Sequence, residues 1–311
     1  MKVVFSAPAK VIVSGEHAVV YGKPALVSAI DLRLVFSLWN KENSVKDENV
    51  LFISKTVKRF LTAQKIKFED KPFDFSVVSD IPVGRHLGSS AAFSVAGTAA
   101  FLKFLSGKNF PKGTINDLSY EVEKRFHLNP SGVDNSTVCF GGLIYYRKEF
   151  EFLKSISSLR YKVPNDIERN LFLIDTGQPE ETTGEMVGLV NRFYSKNRKK
   201  TDAILDRIEK CTQKITLSLT EGNRASFMSG IVENQALLES LGVVSESAKG
   251  TLVNLSRFGV GKVTGGGGKR AGSGFIIFFS EDRGKLTAYL KERRIAYYHF
   301  RQDFKGLYEE S

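Results

Sequence analysis

Residues 82–92 read Pro-Val-Gly-Arg-His-Leu-Gly-Ser-Ser-Ala-Ala, between a predicted strand at 73–78 and a predicted apolar helix at 90–105. Gly84 and Gly88 allow a tight turn and a close approach of the backbone to a ligand. Ser89 and Ser90 fall at the helix start, where free N–H groups and the helix dipole attract anions. We name residues 82–92 the phosphate loop; on this stretch alone, a plain glycine turn with a helix N-cap is the alternative. The pattern matches neither the P-loop nor the dinucleotide fingerprint.

The composition is that of an ordinary globular protein. The chain has 311 residues and a formal net charge of +11, which favours anionic ligands without identifying them. No apolar run reaches the roughly 18 residues that span a membrane, and residues 1–5 lack a signal-peptide pattern. Cys139 and Cys211 have no metal-ligand spacing, so we expect reduced core thiols in a cytoplasmic protein. The basic run at 196–200 indicates a solvated loop, with a nucleic-acid patch as the alternative.

Strand and helix patterns alternate in the first half of the chain, and helices dominate after about residue 176. Strands are predicted at 3–5, 10–14, 25–29, 32–39, 143–146 and 171–175, then at 275–279 and 296–300. Helices are predicted at 51–64, 90–105, 114–126 and 130–140, then at 181–195, 201–219, 224–241, 245–258 and 281–293. Thr114 and Asp117 resemble a capping box. The change in pattern predicts a domain boundary between about 150 and 180.

Polar residues also mark the first two strands. Residues 8–10 read Pro-Ala-Lys and residues 15–22 read Gly-Glu-His-Ala-Val-Val-Tyr-Gly. Lys10 could reach a buried anion or carboxylate, and the alternative is a lysine on an edge strand. Glu16 and His17 lie where a strand ends in a loop, a common place for binding groups. Taken alone, they are two polar loop residues.

Residues 123–135 read Glu-Lys-Arg-Phe-His-Leu-Asn-Pro-Ser-Gly-Val-Asp-Asn. Glu123 and His127 share a helix face, which suits either a metal pair or, more often, an ordinary side-chain contact. Asp134 falls in the first turn of the next helix. The dipole favours a carboxylate there, and a general base is the functional alternative.

Residues 262–274 read Lys-Val-Thr-Gly-Gly-Gly-Gly-Lys-Arg-Ala-Gly-Ser-Gly. Consecutive glycines cost chain entropy, which a backbone wrapped tightly around a ligand would justify. The alternative is a flexible surface loop. We name residues 264–274 the glycine loop.

In their order and spacing, these four stretches resemble the GHMP kinases, a family that phosphorylates small hydroxyl metabolites from ATP. The resemblance runs from residue 2 to about residue 279. Residues 8–22 and 123–135 are most similar to the branch that phosphorylates mevalonate. The Ser-Ser-Ala-Ala run at 89–92 is typical of the whole family.

The resemblance implies an α+β, two-domain GHMP kinase fold. The N-terminal, ATP-binding α/β domain, of ribosomal-protein-S5-domain-2-like type, is expected at 1–176. The C-terminal, ferredoxin-like domain is expected at 177–311, with the active site in the cleft between the two. The implied reaction moves the γ-phosphate of ATP to the 5-hydroxyl of mevalonate, giving 5-phosphomevalonate for isoprenoid biosynthesis, with Mg²⁺ as cofactor. We expect a monomer or homodimer, and neither nucleic acid nor membrane as a partner.

The family's roles transfer residue by residue. Asp134 matches the catalytic aspartate, and Lys10 matches the lysine that pairs with it. Ser90 and Glu123 match the magnesium ligands. The implied nucleotide-binding residues are Pro82, Gly84, Leu87, Gly88, Ser89, Ser90 and Ala91. The implied substrate-side residues are Glu16, His17, Thr182, Gly265 and Gly266, of which Thr182 is the looser match.

The chain departs from the family pattern in two places. Arg85 and His86 replace a small residue and a glycine in the phosphate loop, and a side chain at His86 costs energy if the backbone needs a positive φ. Lys269 and Arg270 follow the glycines where a small residue is usual. These cations could meet nucleotide phosphate or point into solvent.

Three alternatives remain open at this stage. One is a kinase on this fold for a different alcohol, and another is the related diphosphomevalonate decarboxylase. The decarboxylase pattern carries a Tyr-Trp-Gly-Lys segment near its start, whereas the only tryptophan here is Trp39. A non-catalytic ligand sensor is the third, suggested by His86 alone.

Overall fold

Two antiparallel sheets organise the fold in a computed structural model, which describes residues 2–41, 45–126, 131–149, 154–159 and 161–310. In chain order the elements are β1 (Lys2–Ser14), a 3-10 helix (Ala18–Tyr21), β2 (Ala25–Asn40), α1 (Glu48–Ala63), β3 (Phe73–Ser79), α2 (Ser89–Ser106), α3 (Lys112–Glu123), α4 (Val133–Phe140), β4 (Leu143–Lys148), β5 (Lys154–Leu159), α5 (Asn165–Glu168), β6 (Leu171–Asp175), α6 (Thr183–Lys196), α7 (Arg198–Glu221), α8 (Arg224–Ser240), α9 (Glu246–Leu255), β7 (Val260–Val263), β8 (Phe275–Phe279), α10 (Arg283–Glu292), β9 (Tyr297–His299) and β10 (Tyr308–Glu309).

The first sheet has the strand order β10-β1-β2-β4-β5, and β3 also pairs with β2. The long strand β2 therefore pairs with β4 through its first half and with β3 through its second half. The second sheet has the order β7-β8-β6-β9. Its βαββαβ succession, with the first strand between the third and the fourth, is the ferredoxin-like arrangement. The fold class predicted from the sequence is confirmed.

α2 is the central helix of the first half. Most of its residues at 91–105 are apolar, and the helix packs between the first sheet and α1, α3 and α4. A Cβ at Gly97 would lie 2.8 Å from Ile53 Cδ1, so the glycine lets α1 approach closely. The helix starts after Gly88, which has a φ of 80°. Its burial fixes the position of its N-terminus beside β1.

The structure corrects several of the predicted bounds of strands and helices. The four strands predicted in the first 40 residues are two continuous strands, because register shifts at Pro8/Ala9 and between Ile12 and Ser14 absorb the interruptions. The capping box at Thr114 was wrong: α3 begins earlier, after Pro111, without a side-chain cap. α4 begins at Val133, and Pro130 lies outside the described residues, as does His127.

The predicted boundary at 176/177 falls just after β6. That strand belongs to the second sheet, and β10, near the end of the chain, pairs with β1 of the first. The division of the chain into two domains at residues 176/177 stays a prediction, and strands from both ends of the chain belong to the first sheet.

Within the described residues, no helix is long and apolar enough to cross a membrane.

Candidate active site

Lys10 and Asp134 meet at the edge of the first sheet. Lys10 lies in β1 and is buried, and its Nζ is 3.1 Å from Asp134 Oδ1. Asp134 is the second residue of α4, which begins after Gly132 with a φ of 86°. Its side chain is 33% exposed, so the carboxylate is held by the lysine yet open to a ligand. The sequence-predicted pair is therefore in direct contact.

The phosphate loop lies against the same lysine. The Lys10 backbone N–H donates to the Leu87 carbonyl at 2.9 Å. A Cβ at Gly88 would lie 2.8 Å from Lys10 Cγ, so only glycine leaves room for the lysine side chain. Gly84 and Gly88 have φ values of 70° and 80°. The loop places the first-turn amides of α2, which lack carbonyl partners within the helix, close to the Lys10–Asp134 pair.

Ser90 and Glu123 form an oxygen-rich group at the start of α2. Ser90 Oγ donates to Glu123 Oε1 at 2.9 Å, and Ser94 Oγ donates to Glu123 Oε2 at 3.1 Å. Glu123 is the last residue of α3 and is buried. A hydroxyl and a carboxylate are the hard oxygen donors that Mg²⁺ prefers, so the residues present fit that ion. Among the residues that the structure describes, no group of three or more His, Cys, Asp or Glu could hold a metal.

Glu16 has a partner that the sequence did not reveal. Its carboxylate pairs with the Lys262 ammonium of β7, and both side chains are buried. Burial raises the pKa of Glu16 and lowers the pKa of Lys262, because desolvation disfavours both charged forms. Glu16 Oε2 is buried without a hydrogen-bond partner. A lone lysine in a short apolar strand gives no sequence signal for this pair, which joins residues 246 positions apart.

His17 contacts the glycine loop. It has a φ of 59°, and its Nε2 lies 3.2 Å from the Gly266 carbonyl oxygen. Burial lowers the pKa of His17 to about 4. A neutral ring that donates from Nε2 keeps Nδ1 as an acceptor. The predicted substrate-side residues His17 and Gly266 are thus brought together.

His86 also contacts the glycine loop, from the phosphate loop. Its Nε2 lies 3.0 Å from the Gly267 carbonyl oxygen, and its Nδ1 lies 3.2 Å from Thr183 Oγ1. Arg270, at the end of the glycines, pairs with Glu181 at 2.9 Å. The Arg270 side chain is thus turned toward the segment before α6.

Thr182 occupies the N-cap of α6. Its Oγ1 accepts from the Glu185 backbone N–H at 3.2 Å, and the Glu185 carboxylate accepts from the Thr182 backbone N–H at 2.7 Å. The next residue, Thr183, is the one whose hydroxyl meets His86. Thr182 as a substrate-side residue stays a prediction, and the sequence analysis missed Thr183.

Comparisons with known proteins agree on one family. Residues 52–142 match the family described as GHMP kinases N terminal domain. The mevalonate kinase of Archaeoglobus fulgidus is 31% identical over 275 residues, which cover 85% of this chain and 88% of that protein. The mevalonate kinase of Pyrococcus horikoshii is 32% identical over 302 residues and 86% of each chain. The solved structure of the Methanococcus jannaschii mevalonate kinase has a TM-score of 0.77 and 24% identity, covers 96% of this chain and 98% of that chain, and shares the fold.

Proposed function

The chain belongs to the mevalonate kinases, within the GHMP kinase family, and from that premise we propose that it transfers the γ-phosphate of ATP to the 5-hydroxyl of mevalonate, giving 5-phosphomevalonate and ADP. The observation that carries the proposal is the contact of 3.1 Å between Lys10 Nζ and the partly exposed carboxylate of Asp134. Phosphoryl transfer needs positioning and charge stabilisation more than covalent chemistry. A carboxylate, an ammonium and the first-turn amides of α2 supply both.

The nucleotide phosphates would lie on the phosphate loop. The backbone of Gly84, Leu87 and Gly88 and the first-turn amides of α2 offer donors to the phosphate oxygens. Pro82, Ser89, Ser90 and Ala91 complete this segment. Ser90 and Glu123 would hold Mg²⁺, which when bound neutralises phosphate charge.

Asp134 is the acceptor for the proton of the substrate hydroxyl. As the 5-oxygen forms its bond to the γ-phosphorus, the bond from that phosphorus to the β–γ bridging oxygen breaks, and ADP leaves. The hydroxyl proton moves to Asp134; in the alternative, Asp134 only orients the hydroxyl and the proton passes to an oxygen of the transferred phosphate. Lys10 fixes the carboxylate and adds positive charge beside the transferring group.

The substrate side is assigned to the opposite wall of the cleft. It comprises Glu16, His17, Gly265, Gly266 and the start of α6 at Thr182. With Nε2 donating to Gly266, His17 offers Nδ1 to a donor such as a substrate hydroxyl. The cytoplasmic location and the monomer or homodimer expected from the sequence stay predictions.

A coupled ADP-release assay tests the function. Purified protein with ATP and magnesium is offered mevalonate, phosphomevalonate, galactose and homoserine in turn. We expect ADP release with mevalonate at a kcat/KM at least about a hundredfold above the others. Turnover of another alcohol instead would support the alternative kinase, and binding of mevalonate without any turnover would support the sensor.

A further inference from the structure

Arg85 and His86, the two residues that depart from the family's phosphate-loop pattern, both turn their side chains to the second half of the chain. The Arg85 guanidinium pairs with the carboxylate of Asp175, the last residue of β6. Asp175 Oδ1 also accepts from the Gly177 backbone N–H at 2.8 Å. The imidazole of His86 contacts the Gly267 carbonyl and the Thr183 hydroxyl.

Three glycines leave a slot for the imidazole. A Cβ at Gly265 would lie 2.4 Å from His86 Cβ, and one at Gly266 would lie 3.0 Å from His86 Cε1. A Cβ at Gly274 would lie 3.2 Å from His86 Cδ2. His86 itself has a φ of 63°, which is unfavourable for a side chain of this size. Such a conformation persists where the surrounding contacts over-determine it.

We propose that Arg85 and His86 form an interdomain clasp, made of the Arg85–Asp175 and His86–Gly267–Thr183 contacts, which holds the phosphate loop against the glycine loop. Both residues are then positioning residues for phosphoryl transfer and not ligands of the nucleotide. The clasp itself rests on the contacts alone, and its effect on catalysis rests on the proposed function.

The clasp joins the proposed nucleotide-binding segment to the proposed substrate-binding segment. On one side, the residue after His86 is Leu87, whose carbonyl accepts from Lys10 N–H at 2.9 Å. On the other, Gly266 next to Gly267 accepts from His17 at 3.2 Å. A shift of the phosphate loop relative to the glycine loop would therefore move the nucleotide against the substrate, and misplacement by about 1 Å is costly in such reactions.

Hydrogen exchange without any nucleotide tests the clasp directly. The reporters in the glycine loop are the Gly268 and Gly274 amides, which donate to the Val243 and Gly177 carbonyls at 3.0 Å, and the reporter in the phosphate loop is the Ala92 amide, which donates to the Gly88 carbonyl at 2.9 Å. His86→Gly should speed exchange in peptides covering 82–92 and 264–274 by about tenfold, the equivalent of one hydrogen bond. The matched control is Val83→Ala, because Val83 is 76% exposed in the same loop. Unchanged exchange in His86→Gly would overturn the proposal.

A double-mutant cycle tests the slot. Gly266→Ala places a Cβ against three imidazole atoms, at 3.0 to 3.3 Å. We therefore expect Gly266→Ala to lower the urea midpoint of unfolding in the wild-type background and to have little effect in the His86→Gly background. Additive effects of the two substitutions on the urea midpoint would contradict the slot. This test does not depend on which reaction the protein catalyses.

Kinetics separate positioning from nucleotide contact. In ADP release at saturating mevalonate, His86→Gly should lower kcat/KM for ATP about tenfold. His86→Asn should recover part of it, since asparagine tolerates positive φ and keeps an N–H donor. A loss of ATP affinity with hydrogen exchange unchanged would make His86 a nucleotide ligand and overturn the proposal. If mevalonate is not the substrate, the exchange and double-mutant measurements still decide the clasp.

Discussion

Replacing Lys262 with methionine should leave Glu16 as an unpaired charge in the interior. Lys262 is fully buried and Glu16 is 1% exposed, so water cannot take over the lost contact. Breaking a buried pair by removing one partner costs about 3–5 kcal/mol, mainly from the charge left behind. Methionine keeps most of the side-chain length, so cavity formation adds little. We expect Lys262→Met to lose about 3 kcal/mol or more of unfolding free energy at pH 8.

The loss should depend on pH. Burial already raises the pKa of Glu16 above 4.5, and removing Lys262 takes away the main charge that opposes this. An acid whose pKa is raised on folding favours the folded state below its unfolded pKa and loses that contribution as pH rises through the folded value. The deficit of Lys262→Met against wild type should therefore be largest at pH 8 and shrink toward pH 4.5.

Urea unfolding followed by circular dichroism at pH 8, 7, 6 and 5 measures this. The control Lys249→Met removes an exposed i,i+3 pair with Glu246, which is 87% exposed, and should cost less than about 0.5 kcal/mol at every pH. The double variant Glu16→Leu with Lys262→Met should recover most of the stability. A Lys262→Met protein as stable as wild type, or with a deficit that ignores pH, would refute the reasoning.

Three further predictions concern the site and its supports. Glu123→Gln removes the carboxylate charge beside Ser90 and should raise the magnesium concentration for half-maximal ADP release at least about tenfold. The control Glu121→Gln, at an exposed position, should leave that concentration unchanged. Equal magnesium dependence of the two variants would count against the metal assignment. Burial lowers the pKa of His17 from 6.5 to about 4, so the unfolded state takes up a proton first as the pH falls. Between pH 6.5 and pH 4, wild type should therefore lose up to about 3 kcal/mol of unfolding free energy that His17→Asn does not lose. Parallel pH profiles of the two proteins would exclude this. Thr182→Ala should cost about 1 kcal/mol of unfolding free energy as a lost N-cap while KM for mevalonate stays unchanged, and a raised KM would instead support its substrate role.

The contacts between the site residues were predicted from the sequence more accurately than the bounds of the helices and strands. Lys10 contacts Asp134 and Ser90 contacts Glu123, in each case across two separate elements, and no periodicity or spacing indicates either contact. Only the resemblance of the stretches to one family made those contacts predictable. Regular elements with strong patterns were also predicted well, such as the strand at 171–175, apolar up to its final Asp175, and the fully apolar strand at 275–279.

The remaining features depend on tertiary contacts. The short strand β7 and the edge strand β10 have too few residues for a pattern, and they form because a neighbouring strand offers hydrogen bonds. Lys262 pairs with Glu16 because each buried charge offsets part of the cost of desolvating the other. The orientation of His86 depends on space left by glycines far along the chain, so the sequence left its role open.

The most direct measurement of the central claim is kcat for Asp134→Ala with mevalonate and MgATP, alongside calorimetric affinities for both ligands. If Asp134 handles the substrate hydroxyl, kcat should fall by at least about a thousandfold while both affinities stay within a few-fold of wild type. Turnover at the wild-type rate in Asp134→Ala would contradict the account, because the reaction would then proceed without the carboxylate that contacts Lys10.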